Sequence, residues 1–473
     1  MAGKGKVLAE QQHHPEHLVE RLAVSTLDRL VNLLFARPVQ IVPLLFFLVS
    51  LLGAFALSLP SATESGQGTP FVDAWFTAIS ALCVTGLSTL DVPNHWSGSG
   101  ELIILILIQL GGLGIMSASV LIVALFSRTM GFGIRRGLAA ENSGITPGNV
   151  RPLLKIIVAF TFTFEAIVAL WLFGWLLLGH GQPLADAAWN GLFHAISAFN
   201  NAGFALWSDN LMGFQSDWLF LTPIMAAVVA GGIGYPVYRD LWTQRGWRRI
   251  SLHGRLTLYG YAFLLVAGAL LFITLEWENG ATMGNMEPHA HILNGLFQSV
   301  TARTAGFNAV NIGELSDQSL MLTSILMFIG GGSAGTAGGV KVATVVVILL
   351  IIWSEIRGKP DVEAFGRRIG EHNQRRAISV VALAAVLVLG LGYLLVALSP
   401  QISPRDAMFE AVSAFATVGL STGVTAQFTD SGKYLLIFLM FVGRVGPITL
   451  FAALASRGKP VFYHYPKEEV LIG

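Results

Sequence analysis

Four short apolar segments end in glycine at matching distances from a phenylalanine. They run Phe76 to Gly86, Phe193 to Gly203, Phe297 to Gly306 and Phe409 to Gly419. The separation is ten residues in three of them and nine in the third. An Ala-Ile/Val-Ser-Ala tetrad recurs at 78–81, 195–198 and 411–414. The glycines follow one another at intervals of 117, 103 and 113 residues, the mark of a fourfold internal repeat. Glycine tolerates positive φ, which lets neighbouring carbonyls turn toward a common axis. Backbone carbonyls are the ligands that replace water around an alkali cation. The C-terminus of a short helix aimed at the same axis adds partial negative charge. The groups expected to face such an ion belong to Val84, Thr85, Gly86 and Leu87; Asn201, Ala202, Gly203 and Phe204; Thr304, Ala305, Gly306 and Phe307; and Thr417, Val418, Gly419 and Leu420.

A second feature is a run of six glycines in ten residues: Gly330, Gly331, Gly332, Gly335, Gly338 and Gly339. Ser333 and Thr336 lie within it and Lys341 follows. So many glycines should break a helix. The run fits close helix packing through small residues, a kink, or a flexible loop below the carbonyl ring lined by Ser333 and Thr336. A phosphate-binding loop is excluded, because Val340 separates Gly339 from Lys341 and Val342 follows it. Arg444 lies deep in the last apolar run, where a charge is costly and should face a polar cavity or a partner. Glu165, equally deep in the third run, reads as a buried partner for a neighbouring helix. Arg303 is placed to brace the third glycine segment. His13, His14 and His17 read as a solvated tail rather than a metal site. No Ser-His-Asp or paired-carboxylate arrangement stands out, and Cys83 is the sole cysteine, so the chain does not read as an enzyme.

The elements that must hold these groups are membrane helices. Of the 473 residues 53% are hydrophobic and 12% charged, and the mean hydropathy is +0.65. That composition excludes a cytosolic enzyme and a nucleic-acid binder. Long unbroken apolar runs favour helices over barrel strands. Eight are long enough to span: 38–59, 101–126, 152–179, 218–238, 254–276, 319–352, 378–398 and 434–456. The segments 1–37, 127–151, 239–253, 353–377 and 457–473 carry most of the Lys and Arg, including Arg248 and Arg367. The opposite loops hold only Arg303, Arg405 and Lys433 as basic residues, against acids such as Asp73, Asp209 and Glu314. The positive-inside rule therefore predicts cytoplasmic termini and an acidic outer face. The fold expected is an all-α integral membrane protein. Four span–pore-helix–span repeats, at 38–126, 152–241, 254–356 and 378–456, form a pseudo-fourfold cation pore between cytoplasmic tails 1–37 and 457–473. An alternating-access cation transporter is the competing reading, since broken helices and repeats also occur there.

The stretches Cys83–Leu90, Phe199–Phe204, Thr301–Asn308 and Ala416–Thr422, in this order, resemble the membrane subunit of Ktr-type potassium uptake systems in the Trk/Ktr/HKT superfamily. The resemblance covers roughly 38–473. It implies potassium as substrate, a selectivity filter with one glycine per repeat, and an intramembrane gating loop in the third repeat with Arg444 beside it. It also implies a homodimer and a cytosolic ring of regulatory subunits that bind ATP or ADP, with sodium as a possible activator. No covalent cofactor is expected, the only metal is potassium at the filter, and the partners are those subunits and membrane lipid, not nucleic acid. Plant relatives can carry serine at the first filter position; Gly86 favours potassium. A polar tail in place of two extra spans favours the Ktr branch, in a bacterial plasma membrane.

Overall fold

The computed structural model describes residues 38–129, 150–244 and 246–446. The tails 1–37 and 457–473, with His13, His14 and His17, lie outside the described residues, as does the end of the last apolar run beyond 446. The described chain is helical apart from a two-residue hairpin pairing Glu363–Ala364 with Arg367–Arg368.

The helices come in sets. The first set is α1 (Pro38–Ser58), α2 (Phe71–Leu82) and α3 (Gly98–Thr129). The second is α4 (Val150–Leu178), α5 (Leu184–Phe199), α6 (Trp218–Ile233) and α7 (Tyr235–Thr243). The third is α8 (Leu252–Glu276), α9 (Pro288–Thr301), α10 (Asp317–Phe328) and α11 (Val342–Ile356). The fourth is α12 (Glu371–Leu398), α13 (Pro404–Ala416) and α14 (Asp430–Val445). Among the described residues, Leu154–Leu178, Leu252–Glu276 and Glu371–Leu398 are each long and apolar enough to cross a bilayer alone.

The short helices start where proline or a hydroxyl cap dictates. Pro288 and Pro404 open α9 and α13 at a position whose N–H has no intrahelical partner. Ser403 accepts from the Asp406 N–H, and Ser316 caps α10 in the same way through the Ser319 N–H. The carboxylate of Glu276, fully buried at the end of α8, ties three pieces together: it accepts from Thr282 Oγ1 at 2.6 Å, Asn279 Nδ2 at 2.7 Å and Ser316 Oγ at 2.7 Å.

One apolar run differs from the rod read in the sequence, and a second breaks where its glycines predict. The run 218–238 is not one helix. It turns by 88° between α6 and α7 at Gly234, whose φ is +94°. Pro236 follows and has no N–H with which to continue the α6 hydrogen-bond ladder. The run 319–352 is likewise two helices, broken over the glycine-rich stretch as that composition requires.

Packing between sets runs in one direction. α3 packs on α5, α6 on α9, α10 on α13, and α14 returns to α2. The helix that follows the short helix of each set thus leans on the short helix of the next, and the circle closes.

Candidate functional site

Each short helix ends in the same backbone figure. Val84, Asn201, Thr304 and Thr417, two residues before the four glycines, all take positive φ, between +50° and +75°. Gly86, Gly203, Gly306 and Gly419 follow at φ from +70° to +97°. Left-handed backbone costs roughly 1–2 kcal/mol for a non-glycine residue, so four copies at one position are held there by their surroundings.

A hydroxyl supplies part of that hold. Gly86 N–H donates to Ser80 Oγ and Gly419 N–H to Ser413 Oγ, both at 3.1 Å. Ser197 Oγ donates to the Phe204 carbonyl at 2.8 Å, and Thr301 Oγ1 to the Phe307 carbonyl at 2.5 Å. These residues stand four after each phenylalanine, so Thr301 is the third set's counterpart of the tetrad serine, and the missing residue falls after it. The Ala-Ile/Val-Ser-Ala tetrad carried this signal in the sequence. The tethering role is not legible from the tetrad alone, because the shorter third segment carries threonine in its place.

The four glycines meet. A Cβ placed on Gly86 would lie 2.5 Å from the Ala202 carbonyl oxygen, and one on Gly203 2.7 Å from that of Ala305. A Cβ on Gly306 would strike the Val418 oxygen, and one on Gly419 the Thr85 oxygen. The contacts run first to second, second to third, third to fourth and fourth to first. Leu87, Phe204, Phe307 and Leu420, one residue beyond each glycine, are buried at 1% exposure or less and back the ring.

The glycine-rich stretch lies against this ring. Its neck is closed by Gly330 N–H to the Val340 carbonyl at 2.9 Å and Val340 N–H to that of Phe328 at 3.1 Å. The loop body docks on the end of α6: Gly332 N–H donates to Gly232 O at 2.8 Å and Thr336 N–H to Gly231 O at 3.1 Å. Gly338 abuts the Thr417 side chain, and a Cβ on Gly330 would meet Thr304 Cγ2 at 3.4 Å and the Gly338 carbonyl. Gly331 and Gly335 press on the carbonyls of Gly232 and Gly231. Gly339 takes φ +62° at the return. Ser333 is only part-exposed, its carbonyl sitting where Gly234 would carry a side chain. Lys341 turns back on the loop, Nζ donating to the Ala337 carbonyl at 2.5 Å.

Two buried arginines hold the loop. Arg444, 6% exposed, donates through Nη1 to the Thr336 carbonyl and through Nη2 to that of Gly111 at 3.1 Å. Arg303, expected to brace the third glycine segment, instead donates to the Gly330 carbonyl at 3.2 Å and stacks over Tyr261 at 4.2 Å. Glu165 is the helix partner expected. It accepts from Asn200 Nδ2 at 2.9 Å and Gln109 Nε2 at 3.2 Å, linking α4 to α5 and α3.

Polar clasps bridge the sets above the ring. Ser208 Oγ donates to Asp91 at 2.8 Å, Leu211 N–H to the Asn308 carbonyl at 3.0 Å, and Arg405 to Asp317 at 2.6 Å. Lys433 Nζ meets Asp73 at 2.7 Å, with side chains only 12% and 15% exposed. Removing one partner of so sheltered a pair strands the other. Lys433→Gln is expected to destabilise the purified protein by about 2–4 kcal/mol. The exchanged pair, Asp73→Lys with Lys433→Asp, should recover part of the loss in a thermal-unfolding assay; no recovery would mean that the two charges are not coupled.

Backbone carbonyls gathered at one point by a closed circle of apolar helices are the equipment of a membrane protein that carries cations. The chain belongs to the TrkH family of cation transport proteins, whose model matches residues 19–459, and so to a family of transporters rather than enzymes. The Ktr system potassium uptake protein B of Vibrio alginolyticus is 36% identical over 442 residues, covering 92% of this chain and 94% of that one. The potassium/sodium uptake protein NtpJ of Enterococcus hirae is 36% identical over 453 residues, covering 92% and 97%. The crystal structure of the potassium transporter TrkH from Vibrio parahaemolyticus shares the fold, with a TM-score of 0.72 over 88% of this chain and 84% of that one at 17% identity.

Proposed function

We propose that this protein takes up potassium across a bacterial plasma membrane through a gated, channel-like pore. Four span–pore-helix–span units, 38–126, 152–241, 254–356 and 378–456, surround it. The observation that carries this reading is the circle in which each glycine abuts the carbonyl before the next unit's glycine. Carbonyls of Val84 to Leu87, Asn201 to Phe204, Thr304 to Phe307 and Thr417 to Leu420 then form the selectivity filter. The loop from Gly330 to Gly339, with Lys341 and Arg444, is the gate beneath it.

The names of the relatives support the substrate: two are potassium uptake proteins, one of them also for sodium. Sodium as an activator fits the second name. "Ktr system" names a system with partner proteins; the reading adds a homodimer working with a cytosolic ring of nucleotide-binding subunits. ATP or ADP would bind those subunits and not this chain.

The direct test is growth of an uptake-deficient bacterium on limiting potassium, with this chain and with or without its cognate cytosolic subunit. Rescue that requires potassium supports the reading, and failure with a folded, membrane-inserted protein overturns it. Orientation has its own test. Cysteines introduced at Asp209 and Glu314 should react with an impermeant reagent applied outside, and those at Arg248 and Arg367 should not. Cys83 is fully buried, so background labelling should be low. External labelling at Arg367 would invert the topology.

A further inference from the structure

Thr336 does more than fill the loop. It is 1% exposed, and its Oγ1 lies 3.1 Å from Asn201 Oδ1 and 3.3 Å from the Phe199 carbonyl oxygen. Asn201 stands two residues before Gly203, in the left-handed turn that aims the Ala202 carbonyl at Gly86. Its counterparts in the other units are Val84, Thr304 and Thr417, so Asn201 alone of the four carries an amide oxygen. The counterpart threonines also face the loop, Thr304 at Gly330 and Thr417 at Gly338, and their buried hydroxyls make no hydrogen bond. The Asn201 Nδ2 is likewise buried without a partner. The loop thus covers polar groups just under the ring and engages one of them, the asparagine oxygen.

Resting on the gated-pore reading, we propose that Thr336 is a latch on Asn201. With the loop docked, the hydroxyl occupies the Asn201 side-chain oxygen. When the loop withdraws, that oxygen is freed as a cation ligand beneath the glycine ring. One movement therefore clears the path and adds a ligand to it. Thr336 is a positioning residue in this scheme, acting on the ion through Asn201.

The test uses full-length protein in potassium-loaded vesicles, with calorimetric titration of potassium on the purified protein. One net hydrogen bond corresponds to about a two- to tenfold change in the closed-loop population. Thr336→Val should raise flux by about that factor and tighten potassium binding, and Thr336→Ser should stay close to wild type. If the valine variant does not assemble, Thr336→Ala takes its place. Both effects should vanish when Asn201→Ala is already present. A rise in flux with unchanged potassium affinity would reduce Thr336 to loop packing and overturn the latch. So would effects that persist in the Asn201→Ala background, or a silent valine variant in a protein whose flux rises on loop deletion. If loop deletion itself leaves flux unchanged, the gate reading falls and the latch with it.

Discussion

Serine at Gly306 is expected to cut potassium uptake by about ten- to a hundredfold and to weaken discrimination against sodium. Two costs combine. The position has φ +79°, and a side chain held there stores about 1–3 kcal/mol of strain. Its Cβ would also drive into the Val418 carbonyl oxygen and lie 3.2 Å from the Gly419 Cα. The neighbour cannot yield cheaply, because it is backbone and itself part of the ring. Relief of the clash therefore moves the carbonyls that, in the proposed filter, would replace the ion's water, and each 1.4 kcal/mol lost there is about tenfold in affinity. Serine at Gly86, Gly203 or Gly419 should act similarly, through Ala202, Ala305 and Thr85. The measurement is concentration-dependent uptake of potassium with sodium as competitor. Unchanged kinetics in all four variants would take these glycines out of the ion path.

Removal of Ser333 to Gly338 should produce the opposite effect, a rise in flux of about tenfold or more and reduced dependence on a cytosolic partner. The deleted stretch includes the Thr336 amide and hydroxyl contacts and the carbonyl that Arg444 grips. Each such bond contributes about 0.5–1.5 kcal/mol net, and those to a charged group about 1.5–3. The neck between Phe328 and Val340 has its own backbone pairing, so α10 and α11 keep their junction. Arg444→Ala should open the path less, because it leaves the Gly232 and Gly231 contacts intact. Flux into vesicles holding this subunit alone compares the variants. A deletion that assembles and conducts no faster than wild type would make the stretch packing glycine and put the gate elsewhere.

The sequence carried those features that depend on regular spacing. The Phe-to-Gly interval located all four left-handed turns, because the last turns of each short helix and the turn after them take a near-constant number of residues. Six glycines in ten marked the break between α10 and α11, and the depth of Arg444 implied a polar partner, which proved to be the loop carbonyl. Single-residue events were harder to see. The bend at Gly234 hid inside an apolar run, although glycine two residues before Pro236 is the pattern of one helix ending and another beginning. Thr301 was obscured by a one-residue offset. Arg303 reads as a brace for the third glycine segment with no bond assigned, because a long side chain can reach a carbonyl 27 residues away. Which glycine faces which carbonyl follows from packing between sets, and no local pattern encodes it.

The contact between Lys433 and Asp73 has a bearing on biosynthesis. The two residues are 360 positions apart, and they clasp the only junction in the circle whose partners are not consecutive in the chain. The other three junctions can form as the nascent polypeptide lengthens. This one waits until α14 has left the ribosome, so the first set spends most of translation with one flank uncovered. A long-range closure of this kind is slow relative to local contacts. Truncated products that lack α13 and α14 would hold three-quarters of a ring, with the Thr85 carbonyl facing lipid or a chaperone instead of Gly419. If the ring is the proposed filter, ion binding becomes a property of the finished chain alone.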